Sequence, residues 1–157
     1  LQAAFSGESN ARERYVRFAQ KADDEGYRGV AKFFRAAAVG EEIHAHNHEK
    51  VIRKLGFDAK ATIEPVEVKS TIENLQSALK GESYERDVMY PEFIKIAEKE
   101  GVKEAARTFS WALKAEAEHA RSYQDAIDNS ERWRTSDKSF FVCSNWGFVM
   151  SEKGRNG

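Results

Sequence analysis

Apolar residues recur at the spacing of a helix face in four stretches, at about residues 1–25, 27–55, 71–100 and 102–129. In the first stretch most of them lie three, four or seven positions apart, as they do along one side of an α-helix. Each of the first three stretches is followed by a glycine, the residue that most easily adopts the positive φ at a helix end: Gly26, Gly56 and Gly101. The pattern predicts an all-α fold with four long helices.

The connections predict how these helices are arranged. Helices joined by a single-glycine turn must be antiparallel neighbours, so the first pairs with the second and the third with the fourth. Residues 57–69 contain Pro65 and no helical period, and they are long enough to run the length of a bundle. Ser70 and Glu73 form a plausible capping box for the third helix. We therefore expect a four-helix bundle over residues 1–129, built from two hairpins and one long crossover.

The two hairpins resemble each other in sequence. Glu8 and Glu82 both occur in a Gly-Glu-Ser tripeptide, at an offset of 74, whereas the turn glycines Gly26 and Gly101 are offset by 75. The second copy therefore contains one extra residue before its turn. Pro91 lies in the longer interval, and a one-residue insertion in a helix is commonly absorbed as a π-bulge. We predict a bulge or kink between Glu82 and Pro91.

The chemistry of the chain is concentrated in two Glu-x-x-His strings, Glu41–His44 and Glu116–His119. A glutamate and a histidine three residues apart lie roughly 60° apart on one helix face, so both can reach one metal ion. Two such helices, with one glutamate from each remaining helix, form a cage for two metal ions. The isolated glutamates would bridge or flank the ions. The candidate ligands are Glu8, Glu41, His44, Glu82, Glu116 and His119.

Glu85 adds a further carboxylate one turn after Glu82, where the first copy has Ala11. With it the glutamates would carry five negative charges, between the four positive charges of two divalent ions and the six of two trivalent ions. Carboxylate and imidazole ligands suit iron and manganese, and zinc is also able to occupy such a site. The alternative is that these are ordinary solvated glutamates on a structural helical bundle.

Two further residues remain open at this point. His48 lies one turn after His44, where it would either approach the site or occupy a surface or inter-helix position. Gly40 precedes Glu41 inside a helix, where glycine costs about 1 kcal/mol relative to alanine. It would either permit close packing or substrate access beside the metals, or occur there by chance.

The composition excludes several classes of function. A formal net charge of -1 gives no reason to expect nucleic acid or an anionic membrane surface as a partner. No apolar run approaches the roughly 18 residues of a membrane-spanning helix, and no signal peptide is recognisable. The single cysteine, Cys143, excludes an internal disulfide framework. We expect a cytoplasmic protein.

Four strings of the sequence carry a wider resemblance: Gly-Glu-Ser-Asn-Ala-Arg-Glu-Arg-Tyr at 7–15, Gly-Glu-Glu-Ile-His at 40–44, Gly-Glu-Ser-Tyr-Glu-Arg-Asp-Val-Met-Tyr-Pro-Glu-Phe at 81–93 and Ala-Glu-Ala-Glu-His-Ala at 115–120. Together they resemble the rubrerythrin family of ferritin-like di-iron proteins over residues 1 to about 129. The resemblance implies a ferritin-like bundle with two iron ions. The implied iron ligands are Glu8, Glu41, Glu82, Glu85, Glu116 and His119.

The resemblance also implies roles around the metals. In that family the residues matching His44 and Glu85 exchange as ligands of one iron when the redox state changes. The tyrosines matching Tyr15 and Tyr90 hydrogen-bond to ligand carboxylates. From the sequence alone, both tyrosines could equally be aromatic residues of the core.

Residues 130–157 differ in composition and form a predicted C-terminal tail. The string Phe-Phe-Val-Cys-Ser-Asn-Trp-Gly-Phe-Val at 140–149 resembles the first knuckle of a rubredoxin domain, but Trp146 occupies the place of its second cysteine. One thiolate cannot hold that iron, so the tail is a decayed or truncated rubredoxin domain or an unrelated β-like appendage. A stretch this short should pack on the bundle or on another subunit.

The leading expectation is a di-iron peroxidase that reduces hydrogen peroxide to water. Its electrons would come from an external donor such as a rubredoxin or a flavoprotein. The competing expectation is ferritin-like oxidation or binding of iron, with dioxygen as the oxidant. Glu85 and His44 favour the peroxidase, because they match rubrerythrins more closely than ferritins. We also expect a homodimer, and exchange of hairpins between subunits through residues 57–69 remains open.

Overall fold

The computed structural model describes residues 1–152 and contains four long helical rods. The helical segments are α1 (Gln2–Asp24), α2 (Arg28–Lys54), α3 (Thr71–Tyr84), a π-helix (Glu85–Met89), α4 (Tyr90–Lys99), α5 (Lys103–Asp128) and α6 (Ser130–Arg134). Because α3, the π-helix and α4 are continuous, they form the third rod. The predicted all-α bundle is confirmed. Within residues 1–152 no helix has both the length and the apolar character needed to cross a membrane.

The rods pack as two antiparallel hairpins, α1 with α2 and the third rod with α5. Gly26 and Gly101 take positive φ values of 78° and 72° at the two tight turns, as predicted. Residues 57–69 have no regular secondary structure and run along α1. Near the start of α1, Gln2 Nε2 donates to the Asp58 carbonyl at 2.6 Å, and at its end Glu25 accepts from the Thr71 N–H at 2.6 Å. The link thus spans the bundle from one end to the other.

A π-helix occupies the interval in which a bulge was predicted. The amide of Tyr90 bonds to the carbonyl of Glu85, five residues earlier, so the extra residue is absorbed within one turn. Glu82 before this turn and Tyr90 after it are both fully buried. The predicted bulge is confirmed, and it allows both residues to face the centre of the bundle.

The tail contains a short helix that the sequence pattern did not predict, followed by an antiparallel hairpin of β1 (Phe140–Val142) and β2 (Val149–Ser151). The ring of Phe140 stacks on Trp133, with centroids 5.9 Å apart, and the ring of Phe33 from α2 meets both edge-on. The tail therefore packs on the bundle. Residues 153–157, the end of the predicted tail, lie outside the described residues. The division of the chain into two domains at residue 129 remains a proposal.

The capping box predicted at the start of α3 is present, and it generates a stability test. The Ser70 side chain accepts from the Glu73 amide at 3.3 Å, and the Glu73 side chain accepts from the Ser70 amide at 3.2 Å. Ser70→Ala should lower the free energy of unfolding by about 1 kcal/mol, because an amide at the helix start loses its partner. Ser77→Ala, at an exposed position of the same helix, is the control. Urea unfolding curves that coincide for the two variants would contradict the assignment.

Candidate metal centre

Each of the four rods contributes one fully buried glutamate to the centre of the bundle: Glu8 from α1, Glu41 from α2, Glu82 from α3 and Glu116 from α5, all 0% exposed. Each glutamate lies on the inward stripe of its helix; Glu8, for example, falls between the buried residues Ala4 and Ala11. Helical periodicity therefore directs these carboxylates inward although their chemistry favours water. His44 and His119 are buried beside them.

The six side chains form two groups that share two members. One donor atom from each of Glu8, Glu41, His44 and Glu116 lies within 4.8 Å of the others, and the same holds for Glu41, Glu82, Glu116 and His119. Glu41 and Glu116 belong to both groups and lie between them. Glu8 and Glu82 each belong to one group. Two bound ions would therefore share Glu41 and Glu116, and Glu8 and Glu82 would each hold one of them.

Both imidazoles present Nδ1 to the shared carboxylates. The Nδ1 atom of His44 is 2.9 Å from Glu116 Oε1 and 3.0 Å from Glu41 Oε2. The Nδ1 atom of His119 is 3.1 Å from Glu116 Oε2 and 3.3 Å from Glu41 Oε1. The glutamate–histidine pairs predicted on α2 and α5 therefore point at a common centre.

The buried donor set is one that metal ions would satisfy. Apart from the close contacts with the histidine Nδ1 atoms, several buried oxygen atoms of the described residues have no hydrogen-bond partner: Glu8 Oε2, Glu41 Oε1, Glu82 Oε2 and both carboxylate oxygens of Glu116. The Nδ1 atom of His119 is also without a hydrogen bond. Leaving buried carboxylate oxygens unpaired is costly, whereas divalent cations bind to this combination of oxygen and imidazole nitrogen. The residues present fit a dinuclear metal site.

Burial and crowding shift the pKa values of the two shared carboxylates upward. Burial, reinforced by the charge of Glu82, raises the pKa of Glu116 to about 8. Burial also raises the pKa of Glu41 well above its usual range, and the charge of Glu116 adds to that effect. In the metal-free protein these carboxyl groups therefore retain protons that a bound cation would displace.

The flanking carboxylates and the histidines behave differently, because each carboxylate has an imidazole beside it. Burial acts to raise the pKa of Glu8 and of Glu82, but interaction with His44 and His119, respectively, outweighs it and lowers both values to about 2. Burial acts to lower the pKa of each histidine, but the surrounding carboxylates raise both pKa values well above the usual range. Without metal, protonated imidazoles thus partly neutralise the site.

Two tyrosines bind the flanking carboxylates in corresponding ways. The Tyr15 hydroxyl donates to Glu82 Oε1 at 2.6 Å, and the Tyr90 hydroxyl donates to Glu8 Oε1. Each tyrosine belongs to the opposite hairpin from the glutamate that it contacts. The structure thus places both where the resemblance implied, as donors to carboxylates of the candidate site.

His48 is an inter-helix residue that extends this hydrogen-bond network. Its Nε2 lies 2.9 Å from the Tyr90 hydroxyl, and its Nδ1 lies 3.1 Å from the Thr108 hydroxyl. Burial lowers the pKa of His48 to about 3, so the ring is neutral. Because the Tyr90 hydroxyl donates its hydrogen to Glu8, its oxygen is free to accept a hydrogen bond from His48 Nε2–H. The spacing of His48 from His44 indicated a shared face, but Thr108 carried no sequence signal.

Glu85 is the predicted ligand that the structure does not bring into either group. It is the first residue of the π-helix and is partly exposed, with Oε1 4.0 Å from the position that a Cβ on Gly7 would occupy. Burial of its carboxyl group, with the charges of Glu8 and its neighbours, raises the pKa of Glu85 well above its usual range. His44 lies within the first group, and Glu85 lies outside it.

Removal of a shared carboxylate should abolish binding of two ions. Glu116→Ala or Glu41→Ala removes a donor common to both groups, so metal analysis should find fewer than two ions per chain. The matched control is Glu42→Ala, which removes an exposed carboxylate next to Glu41. Full occupancy in either site variant would show that the donor set is wrong.

The raised pKa of Glu116 also predicts how the stability of the metal-free protein depends on pH. Between its ordinary value of 4.5 and its folded value of about 8, the folded protein binds more protons at this group than the unfolded chain. Stability due to this group is therefore complete below pH 4.5 and is lost as the pH rises to 8. The lowered pKa values of Glu8 and Glu82 act in the opposite direction, but only as the pH falls toward 2.

Urea unfolding in the presence of a chelator, at several pH values, measures this dependence. Glu116→Gln provides the comparison, because a neutral amide cannot lose a proton and its variant should show a smaller fall between pH 5 and pH 8, roughly the window between the two pKa values of Glu116. A wild-type protein whose stability rises through that range would contradict the assignment of protons to Glu116.

The fold and the site correspond to those of known proteins. The family model described as Rubrerythrin matches residues 1–127. Rubrerythrin-2 of Clostridium acetobutylicum is 35% identical over 155 residues, which cover 98% of this chain and 84% of the relative. The rubrerythrin of Porphyromonas gingivalis is also 35% identical, over 98% of this chain and 78% of the relative.

Solved structures agree with these sequence matches. A structure of nigerythrin in its fully reduced, all-ferrous state superposes with a TM-score of 0.89 at 32% identity, over 96% of this chain and 74% of the other. The bacterioferritin of Desulfovibrio desulfuricans, with a TM-score of 0.77 at 22% identity over 85% of this chain and 79% of the other, shares the fold. The predicted ferritin-like architecture is confirmed, and the chain belongs to the rubrerythrin family.

Proposed function

We propose that the protein is a non-haem di-iron peroxidase that reduces hydrogen peroxide to water with electrons from an external donor. Two bound ferrous ions would supply the two electrons that convert one hydrogen peroxide and two protons into two water molecules. The observation that carries the proposal is the unequal environment of the two groups. His44 belongs to the first group, and Glu85 lies outside that group. The position that corresponds to Glu85 in the first hairpin is Ala11, which carries no carboxylate.

The chain's own residues have distinct roles in this proposal. Glu41 and Glu116 belong to both donor groups, so they would hold both ions and their negative charge would balance the metals. Tyr15 and Tyr90 fix the orientation of the flanking carboxylates through the hydrogen bonds described above. We propose that His44 and Glu85 exchange as ligands of one ion between redox states, as the family resemblance implies.

Glu85 is also a candidate source of protons. Burial and the charge of Glu8 raise the pKa of Glu85, which favours the protonated carboxyl group, and reduction of peroxide consumes two protons. In this proposal the Glu85 carboxyl oxygen delivers a proton to the oxygen that leaves as water, and solvent restores it through the partly exposed side of the residue.

In this proposal the electrons come from a separate protein such as a rubredoxin or a flavoprotein. A rubredoxin iron needs four thiolates, and Trp146 stands where the second of them would be. Cys143 alone cannot supply that centre. The homodimer, hairpin exchange through residues 57–69 and a cytoplasmic location remain predictions.

Stopped-flow oxidation of the ferrous protein would test the proposed function. The protein is loaded anaerobically with two ferrous ions per chain and mixed separately with hydrogen peroxide and with dioxygen. We expect peroxide to oxidise the site much faster, with one peroxide consumed for every two ferrous ions. Faster oxidation by dioxygen, with continued turnover of added ferrous iron, would instead support the ferritin-like alternative.

Glu85→Gln tests the proposed role of the side chain. The amide cannot donate an acidic proton, so peroxide oxidation should slow by about 10²-fold or more, as is typical for loss of a general acid. Two metal ions should still bind, because Glu85 lies outside both groups. Glu92→Gln, at an exposed position one turn beyond the π-helix, is the control. An unchanged peroxide rate in Glu85→Gln would exclude this role.

A further inference from the structure

The turn between the two tail strands lies directly over the candidate metal centre. The carbonyl of Trp146 accepts a hydrogen bond from His44 Nε2 at 2.6 Å, and the carbonyl of Gly147 accepts one from His119 Nε2 at 3.2 Å. Two consecutive carbonyl groups of the tail therefore contact the outer nitrogen of both histidines. The turn lies beyond residue 127, where the match to the family model ends.

These hydrogen bonds select one tautomer of each ring. A peptide carbonyl can only accept a hydrogen bond, so Nε2 of each imidazole must carry a hydrogen atom. A neutral imidazole protonated at Nε2 has its free lone pair on Nδ1. In both histidines Nδ1 is the atom that faces Glu41 and Glu116. The turn therefore stabilises the tautomer that can bind metal at the centre.

Two facing glycines permit this close approach. A Cβ on Gly147 would lie 2.5 Å from His44 Nε2 and 2.6 Å from the Gly40 carbonyl oxygen, and its φ of 73° is unfavourable for other residues. A Cβ on Gly40 would lie 2.6 Å from the Gly147 carbonyl oxygen and 3.1 Å from His119 Cε1. The helical glycine whose role the sequence left open thus provides close packing against the tail.

Contacts on both sides of the turn hold it against the bundle. The Asn47 side chain on α2 donates to the Asn145 carbonyl at 2.8 Å. The Trp146 ring stacks on Trp111 of α5, with centroids 6.2 Å apart and planes 13° from parallel. The residue that replaces the second knuckle cysteine is therefore an anchor of the turn.

We propose that this turn is a structural part of the metal centre. Trp146 and Gly147 act as positioning residues, whose carbonyl groups orient His44 and His119, and Gly40 permits them to reach the rings. The inference rests on the metal-binding part of the proposed function and is independent of the oxidant. It gives the tail a role in this chain that does not require an iron of its own.

Zinc loading tests the proposal without any redox reaction, because zinc is diamagnetic and suits NMR. Long-range ¹H–¹⁵N spectra of the zinc-loaded wild type should show both histidines protonated at Nε2, with slow exchange of these hydrogens with solvent.

In Gly40→Ala the Nε2 hydrogens should exchange faster. Zinc affinity, measured by competition with a chelator, should fall by roughly 10- to 100-fold, as when other partners of ligating histidines are lost. Gly81→Ala is the control, because nothing lies within 4 Å of a Cβ at that helical position.

A second variant covers the case in which Gly40→Ala does not fold, as judged by circular dichroism. Asn47→Ala removes only a partly exposed contact to the turn, and it should also accelerate Nε2 hydrogen exchange. Unchanged exchange and zinc affinity in folded Gly40→Ala, or unchanged exchange in Asn47→Ala, would overturn the proposal. Failure of the wild type to bind two zinc ions would count against the metal-binding function itself.

Discussion

The structure depends on the burial of four carboxylates in the middle of a helical bundle. Such groups are expensive to remove from water, and cations or protons must neutralise them before the helices can close around them. The neighbouring buried positions on each helix are mostly alanine, which leaves room for the longer glutamate side chains: Ala4, Ala11, Ala37, Ala45, Ala78, Ala112 and Ala120. Larger apolar residues surround this centre in an aromatic cluster, in which Phe18 and Phe34 meet edge-on and Phe33 packs edge-on against His119. The core thus consists of a polar centre within an apolar shell.

Local sequence signals predicted much of this architecture. The helical period and the turn glycines predicted the four rods, with bounds within one residue of those observed. This was possible because each of these signals depends on only a few neighbouring residues. The candidate donor groups also agree with local geometry, since a three-residue spacing places Glu41 beside His44 on one face. Duplication then indicated that the two pairs belong to one site. The one-residue difference between the copies predicted the π-helix.

Features that depend on distant contacts could not be predicted in the same way. The hydrogen-bond acceptors for His44 and His119 are backbone carbonyl groups. Every residue has one, so the sequence does not indicate which carbonyl groups contact the histidines. The contact between His48 and Thr108 depends on how α2 and α5 pack. Glu85 was predicted as a ligand, but its direction depends on the local geometry of the π-helix, and the structure places it outside both groups. Short α6 lacks the length that makes a helical period recognisable.

The π-helix has an evolutionary consequence. On either side of it the third rod keeps the helical geometry that directs Glu82 and Tyr90 into the bundle, so one additional codon changed the local backbone without displacing either residue. The alanine that Glu85 replaces in the other copy, Ala11, lies before the inserted residue, so the insertion and the extra carboxylate are separate differences between the two hairpins. The bundle thus tolerates a change of length in one hairpin while the buried carboxylates of the candidate site keep their places.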